Sequence, residues 1–478
     1  MSNRSIYLSA ALAGLVLTFS ACKSLSIAER KENKNVPSGF QSSLTDTTNT
    51  GQVRWKAFFK DPYLGALIDS ALSNNQELNI TLQEIEISRN EVRVRKGDYL
   101  PFLGLGGSAG VEKVGRYTSK GSSEATTDIK PGQATPEPLP DFMIGAFASW
   151  EVDIWHKLRN SKKAAYNKYL SSVEGKNFMV TNLVSEIAGA YYELLALDNQ
   201  LDIVHQNIDI QSNALKIVKM EKEATRVTEL AVRKFEAEVF HTKSLQFDIQ
   251  QQIVETENRI NFLVGRFPQT IARSSQAFST LVPDTLYAGV PSQLLSNRTD
   301  IKQAELDLTA SRLDVRVAKA KFYPSLTLHA GVGFQAFNPA FLIQTPQSML
   351  YSLAGDLVAP LINRNALKAT YYNANAKQIQ AVYQYEQTVL KAYIEVVNQL
   401  SRIQNLKQSY DLKEQQVQAL NQSITISTNL FKSAKADYME VLLTQRDALV
   451  SKFELIETKM EQMHAMVQMY RALGGGWN

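Results

Sequence analysis

Two hydrophobic periods alternate along this chain, and the switch from one to the other falls at a proline. Between residues 61 and 97, apolar side chains recur at helical spacing: Leu64, Leu67, Ile68 and Leu72, then Leu78, Leu82, Ile85 and Val92. This predicts a helix pair or one broken helix ending before Pro101. Beyond the proline the period drops to two. Leu103, Leu105, Gly107, Ala109 and Val111 share one face, and Gly104, Gly106, Ser108, Gly110 and Glu112 the other. Phe142, Ile144, Ala146, Ala148 and Trp150 make a matching return strand. After Pro324 the alternation returns, with Leu326, Leu328, Ala330, Val332 and Phe334 against Thr327, His329, Gly331, Gly333 and Gln335. Met349, Tyr351, Leu353 and Leu357 complete a fourth strand. A strand of about ten residues crosses a bilayer when tilted.

The rest reads as long helices over 157–265 and 364–473, interrupted near Glu223–Thr228 and near Ser433–Asp437. Val389, Tyr393, Val396, Leu400 and Ile403 step by four and three, a coiled-coil seam. Between breaks these rods are expected to run about 60 residues, or roughly 90 Å. Gln, Asn, Ser and Lys crowd their other faces, as at Gln250, Gln251 and Gln252. Polar faces all along imply water on both sides, including an internal lumen. Residues 113–140 read as a polar loop between the first two strands, and 338–347 as a shorter one between the last two.

The chain also repeats itself. Residues 88–101 (SRNEVRVRKGDYLP) align without gaps to 311–324 (SRLDVRVAKAKFYP). Leu72-Ser73-Asn74 returns as Leu295-Ser296-Asn297. Arg159-Asn160 and Lys163-Ala164-x-Tyr166 return as Arg364-Asn365 and Lys368-Ala369-x-Tyr371. The expected units are 54–285 and 286–478, each running helix, proline, strand, loop, strand, long helix. Four strands cannot stand open in lipid, because each unpaired edge group there costs several kcal/mol. Bacterial barrels have at least eight strands and an even count. Two chains give a filled interior and three give a hollow bore, which suits Gly104, Gly106, Gly331 and Gly333 on the inner face. A trimer is favoured, its helices forming a second barrel.

Composition narrows the function. A formal charge of +4 on 478 residues points to no nucleic-acid partner. Five histidines, none within helical reach of another, and a single cysteine argue against a metal site, a cofactor or an internal disulfide. Glu151 and Asp153 flank a strand end with no base or nucleophile beside them, so they read as helix-capping or lumen residues and not as catalysts. Trp150 and Trp155 fit an aromatic girdle or the strand–helix joint, and Lys162-Lys163 a solvated face. Residues 1–21 carry Arg4 and then an apolar run, the form of a secretory signal. Phe19-Ser20-Ala21-Cys22 is similar to a bacterial lipobox, which makes Cys22 the lipidated N-terminus of the mature chain. Residues 22–53 read as a polar tether, with order beginning near Trp55.

With these residues in place the chain resembles the TolC-like outer membrane factors, in the lipoprotein branch that serves resistance–nodulation–division (RND) efflux pumps. Ser149 to Ile154 with Trp155, Leu158 and Arg159 carry the strand-to-helix signature. Leu263-Val264-Gly265-Arg266-Phe267-Pro268 ends the second helix, and Leu473-Gly474-Gly475-Gly476-Trp477 closes the branch. Val290 to Ile301 follows a VPxxLLxxRPDI pattern with Thr299 for proline. Pro360 to Asn365 departs from a PIFxGGR pattern, and Ala434 replaces a glycine at the second helical turn.

The resemblance implies a mainly α fold with membrane β: a homotrimer with a 12-strand barrel and a long periplasmic helical barrel, held in the outer membrane. It implies a passive exit duct, not an enzyme, that works with a periplasmic adaptor and an inner-membrane RND pump. By motif position Phe431, Lys435, Asp437 and Glu440 are gate candidates, and Arg226, Thr228 and Glu229 are candidates for adaptor contact or gate partnership. A same-architecture conduit for protein secretion through an ABC transporter stays open, as does a non-conducting lipoprotein that links envelope layers.

Overall fold

The computed structural model describes residues 30–40, 48–275, 278–281, 286–362, 364–433 and 435–477. The signal-like run, Cys22, Asn363 and Ala434 lie outside the described residues. In chain order the elements are α1 (Trp55–Phe58), α2 (Pro62–Asn74), α3 (Gln76–Tyr99), β1 (Phe102–Glu112), α4 (Ser119–Glu124), β2 (Asp128–Lys130), β3 (Gln133–Ala134), β4 (Leu139–Val152), α5 (Lys157–Glu223) and α6 (Glu229–Val264). There follow α7 (Ser292–Asn297), α8 (Thr299–Ala320), β5 (Ser325–Ala336), β6 (Met349–Val358), α9 (Asn365–Lys432) and α10 (Tyr438–Ala472). The predicted helix pair is α2 and α3. Asp61 starts α2 by accepting from the amides of Tyr63 and Leu64, and Asn75 starts α3 by accepting from Leu78.

The four long strands form one antiparallel sheet in the order β1–β4–β5–β6, with β1 and β6 at its edges. The four helices that adjoin them pack in the same order, α3 on α5, α5 on α8 and α8 on α9. Strands and helices thus make one curtain, sheet at one end and rods at the other.

The rods depart from expectation. α5 has 67 residues and α9 has 68, about 100 Å each, whereas α6 and α10 have only 36 and 35. The turns fall where the sequence breaks them, but each returning helix stops partway along its longer partner. Those stops build the core. Around Tyr191 and Ile187 of α5 gather Leu64 and Ile68 of α2, Ile260 and Val264 of α6, and Val467 of α10. A second cluster joins Ile301 and Leu308 of α8 to Val382, Val389 and Val396 of α9.

The two stops share a device. Gly265 ends α6 at φ 80, and a Cβ there would lie 2.4 Å from the carbonyl oxygen of Asn74. Gly474 follows α10 at φ 87, where a Cβ would lie 2.9 Å from the carbonyl oxygen of Asn297. Asn74 and Asn297 are equivalent in the repeat, so each unit closes its returning helix against the same backbone turn. Only glycine satisfies both the left-handed φ and the close approach.

Two expectations are corrected. Residues 30–40 are not a free tether, and order does not begin near Trp55. This strap lies along the second unit: Glu32 pairs with Arg312, Lys34 with Glu305 at 2.5 Å, and Arg30 with Glu386 at 3.3 Å. Phe40 is buried and stacks on Tyr393 at 5.5 Å. The composition reads as a tether because the partners that order this segment are distant in sequence. The region read as a loop at 113–140 holds α4, whose Thr118 accepts from the Gly121 amide, and the small β2–β3 hairpin.

Candidate functional site: a two-faced sheet and two helical tips

The sheet register sorts side chains by chemistry. Leu103, Ala148, Ala330 and Leu353 stand in one row, and Leu105, Ala146, Val332 and Tyr351 in the next. Trp150 pairs with Leu328, Val152 with Leu326, and Leu326 in turn with Leu357, so one whole face is apolar. The opposite face carries Gly104, Phe147, Gly331 and Ser352 in a row, with Gly106, Gly145 and Gly333 beside it. Ser149, His329, Thr327, Asp356 and Glu151 lie on this second face, where His329 and Asp356 are 3.3 Å apart. Such a sheet suits lipid on one side and water on the other. No described helix is long and apolar enough to cross a membrane.

Phe147 was not singled out from the sequence. Its ring lies over the glycine bed: a methyl added at Gly106 or Gly331 would stand 3.3 or 3.4 Å from it. The available signal was an aromatic at a polar-face position among small residues.

Below the sheet, the joint is fixed by the residues noted in the sequence. Asp153 is buried and accepts from the amides of Leu158 at 2.8 Å and Arg159 at 2.9 Å. It therefore caps α5, where the helix dipole favours a carboxylate. Glu151 forms an ion pair with Lys157 on the polar side. Trp150 donates to the carbonyl of Tyr99 at 3.2 Å, while Trp155 donates to that of Pro324 at 2.8 Å and stacks on Tyr323.

At the far end the two helical hairpins meet. Val218 of α5 and Ala231, Val232 and Phe235 of α6 are buried against Leu442 of α10. Val227, Phe431, Tyr438 and Met439 pack at the edge of that cluster. Phe431, the apolar gate candidate, is thus drawn to the first-unit turn. The two turns close alike, the Arg226 amide donating to Glu221 O and the Lys435 amide to Leu430 O, both at 2.9 Å.

Thr225 sits in the first turn at φ 58, a left-handed geometry that sequence reading missed. Arg226, Thr228, Lys435, Asp437 and Glu440 are exposed, and among the described residues none of these charged groups forms an ion pair. Glu229 differs. Its hydrogen bond with Lys222 holds its carboxyl below the usual glutamate range, and Arg233 lies 2.9 Å from it.

Comparison with known proteins agrees with this geometry. The sequence pattern of the outer membrane efflux protein family matches residues 67–266 and 290–475. The pyoverdine export outer membrane protein OpmQ of Pseudomonas aeruginosa is 27% identical over 447 residues, covering 92% of this chain and 91% of its own. The probable outer membrane lipoprotein SilC of Salmonella typhimurium is 24% identical, with 97% of each chain covered. Among solved structures, CusC superposes with a TM-score of 0.82 at 23% identity, over 95% of this chain and all of its own. With its family pattern matched across both repeats and its fold shared along nearly its whole length, the chain belongs to the outer membrane efflux protein family.

Proposed function

We propose that three copies of this chain close a twelve-stranded barrel in the outer membrane and form the passive exit duct of a tripartite efflux pump. The observation that carries this reading is the open-edged sheet of four strands, apolar on one face only. One protomer cannot seal its own edges in lipid, and three copies give a bore wide enough to stay hollow. The glycine-rich face lines that bore. The rods carry it into the periplasm, and the units 54–285 and 286–478 alternate around the axis. Cys22, acylated, tethers the strap to the membrane. No step of chemistry is assigned to the protein: a periplasmic adaptor and an inner-membrane RND pump supply drive and cargo selection.

The gate lies at the helical tips. Lys435, Asp437 and Glu440 form charged rings about the axis, and rings of charge select ions and lock neighbours. Arg226, Thr228 and Glu229 meet the adaptor or the gate of the adjacent chain, with Phe431 holding the two tips of one protomer together. The test is planar-bilayer conductance of the purified, detergent-solubilised protein, with its mass measured in parallel. A trimer with discrete channel currents is expected. A monomer, or a trimer without current, overturns the duct.

A further inference from the structure

We propose that the groove between α5 and α8, directly beneath the apolar face of the sheet, binds the phosphate of an anionic phospholipid headgroup. The inference rests on the reading of the sheet as membrane-spanning. The groove encloses about 600 Å³ and is lined by Arg159, Lys163, Arg316 and Lys319, with His156 beside them and the Trp155–Tyr323 stack at its upper end. No carboxylate lines it. Asp153 approaches Arg159 at 3.8 Å while capping α5, but among the described residues Lys163, Arg316 and Lys319 have no ion-pair partner. Three of the four cations gathered here have no counter-charge, and they repel one another unless an anion joins them.

The side of the curtain on which this groove opens is fixed by two independent links. Trp150, on the apolar face, donates to the carbonyl of Tyr99, and the guanidinium of Arg159 lies 5.3 Å above the Tyr99 ring. On the other side, Glu151 of the polar face pairs with Lys157, and the groove there is lined by Lys157 and by the Lys168–Asp314 pair. The uncompensated cations therefore sit under the lipid-facing surface, and the paired charges sit under the lumen. The apolar rows end at Val152 and Leu326, so the first helical turns below them stand at headgroup depth. An aromatic pair above a basic pocket is the arrangement that takes an acyl chain and its phosphate together.

The repeat carries the same cations twice. Arg159, Lys163, Arg316 and Lys319 correspond to Arg364, Lys368, Arg93 and Lys96. Arg364 lies 4.8 Å above the Phe322 ring, just as Arg159 lies above Tyr99. α5 and α8 are the two inner helices of the curtain, so their groove is complete within one chain. The corresponding set sits on the outer helices α3 and α9, and would be completed only where neighbouring copies meet.

The test uses the full-length protein, delipidated in detergent and titrated separately with cardiolipin, phosphatidylethanolamine and inorganic phosphate, with retention read by native mass spectrometry. Cardiolipin is expected to be retained preferentially. Arg316→Gln with Lys319→Gln should weaken it roughly twenty-fivefold, at about fivefold per cation. Lys157→Gln with Lys168→Gln, in the opposite groove, should leave retention unchanged. Equal retention in the Arg316/Lys319 variant overturns the proposal, as does inorganic phosphate binding as tightly as cardiolipin. Conductance of the same samples separates the two readings, because loss of channel current in the unaltered protein strikes the duct and leaves lipid retention to be judged alone.

Discussion

Arg298 grips Asp300 through two bonds, Nε to Oδ1 at 3.0 Å and Nη2 to Oδ2 at 2.7 Å. Its Nη1 also donates to Glu395 at 2.7 Å and to the carbonyl of Ala472 at 3.0 Å, and the residue is 5% exposed. One guanidinium thus ties the start of α8 to α9 and to the end of α10. Replacing it strands two carboxylates at a closed joint, so Arg298→Ala should lower stability by about 3–5 kcal/mol. Arg298→Lys keeps the charge but loses the fork and should fall between. Thermal unfolding of the detergent-solubilised protein reads both, and an unchanged melting temperature in Arg298→Ala refutes the role.

Thr225 occupies the left-handed region at the first helical tip, where a β-branched side chain is disfavoured by about 1–2 kcal/mol. Thr225→Gly relieves that strain, part of it offset by the greater freedom of glycine in the unfolded chain. The expected result is a tip at least as stable as before, with slower amide exchange across 218–235. Faster exchange there would mean that the turn is held by its threonine side chain.

Much of this architecture was legible because it is written in periods. The change from helical spacing to alternation at Pro101 and Pro324 located the strands, and their register repeats the parity read from Leu103 and Leu326. The breaks near Glu223 and Ser433 were visible as interruptions of two long helical stretches. What stayed hidden depends on partners far away in the chain. Glu32 lies in the segment that reads as a polar tether, because its partner Arg312 is 280 residues distant. Phe431 could be placed on a tip, but not against the cluster around Phe235, because nothing local encodes how two hairpins lean together. The basic groove was invisible for the same reason: Lys163 and Arg316 come from separate helices, and only their shared side of the curtain gives them meaning.

Phe431, like Val227 and Tyr438, packs at the edge of the cluster of Val218, Ala231, Val232, Phe235 and Leu442 that joins the two tips. Truncating a half-buried ring of this kind should weaken the contact by about 2 kcal/mol, below the range for a fully buried phenylalanine. If the tips form the gate, Phe431→Ala raises the open fraction of single-channel currents and leaves the melting of the central core unaltered. Unchanged currents with a softened tip would leave Phe431 a packing residue and move the gate elsewhere.

The strap should release in acid, and the sign follows from Glu32. The hydrogen bond from Arg312 holds its carboxyl below the usual glutamate range, and the charges of Arg312 and Lys34 add attraction for the ionised form. A depressed folded value means that the charged form is favoured by docking. That contribution is present in full above the unfolded value and disappears as pH falls through the lowered folded one. Cleavage within 30–40 by an acid-active protease should therefore accelerate below about pH 4. Glu32→Gln should loosen the strap at pH 7 and flatten the part of the acid response that Glu32 supplies. A Glu32→Gln strap as protected at pH 7 as the native one would mean that Phe40, stacked on Tyr393, holds the segment by itself.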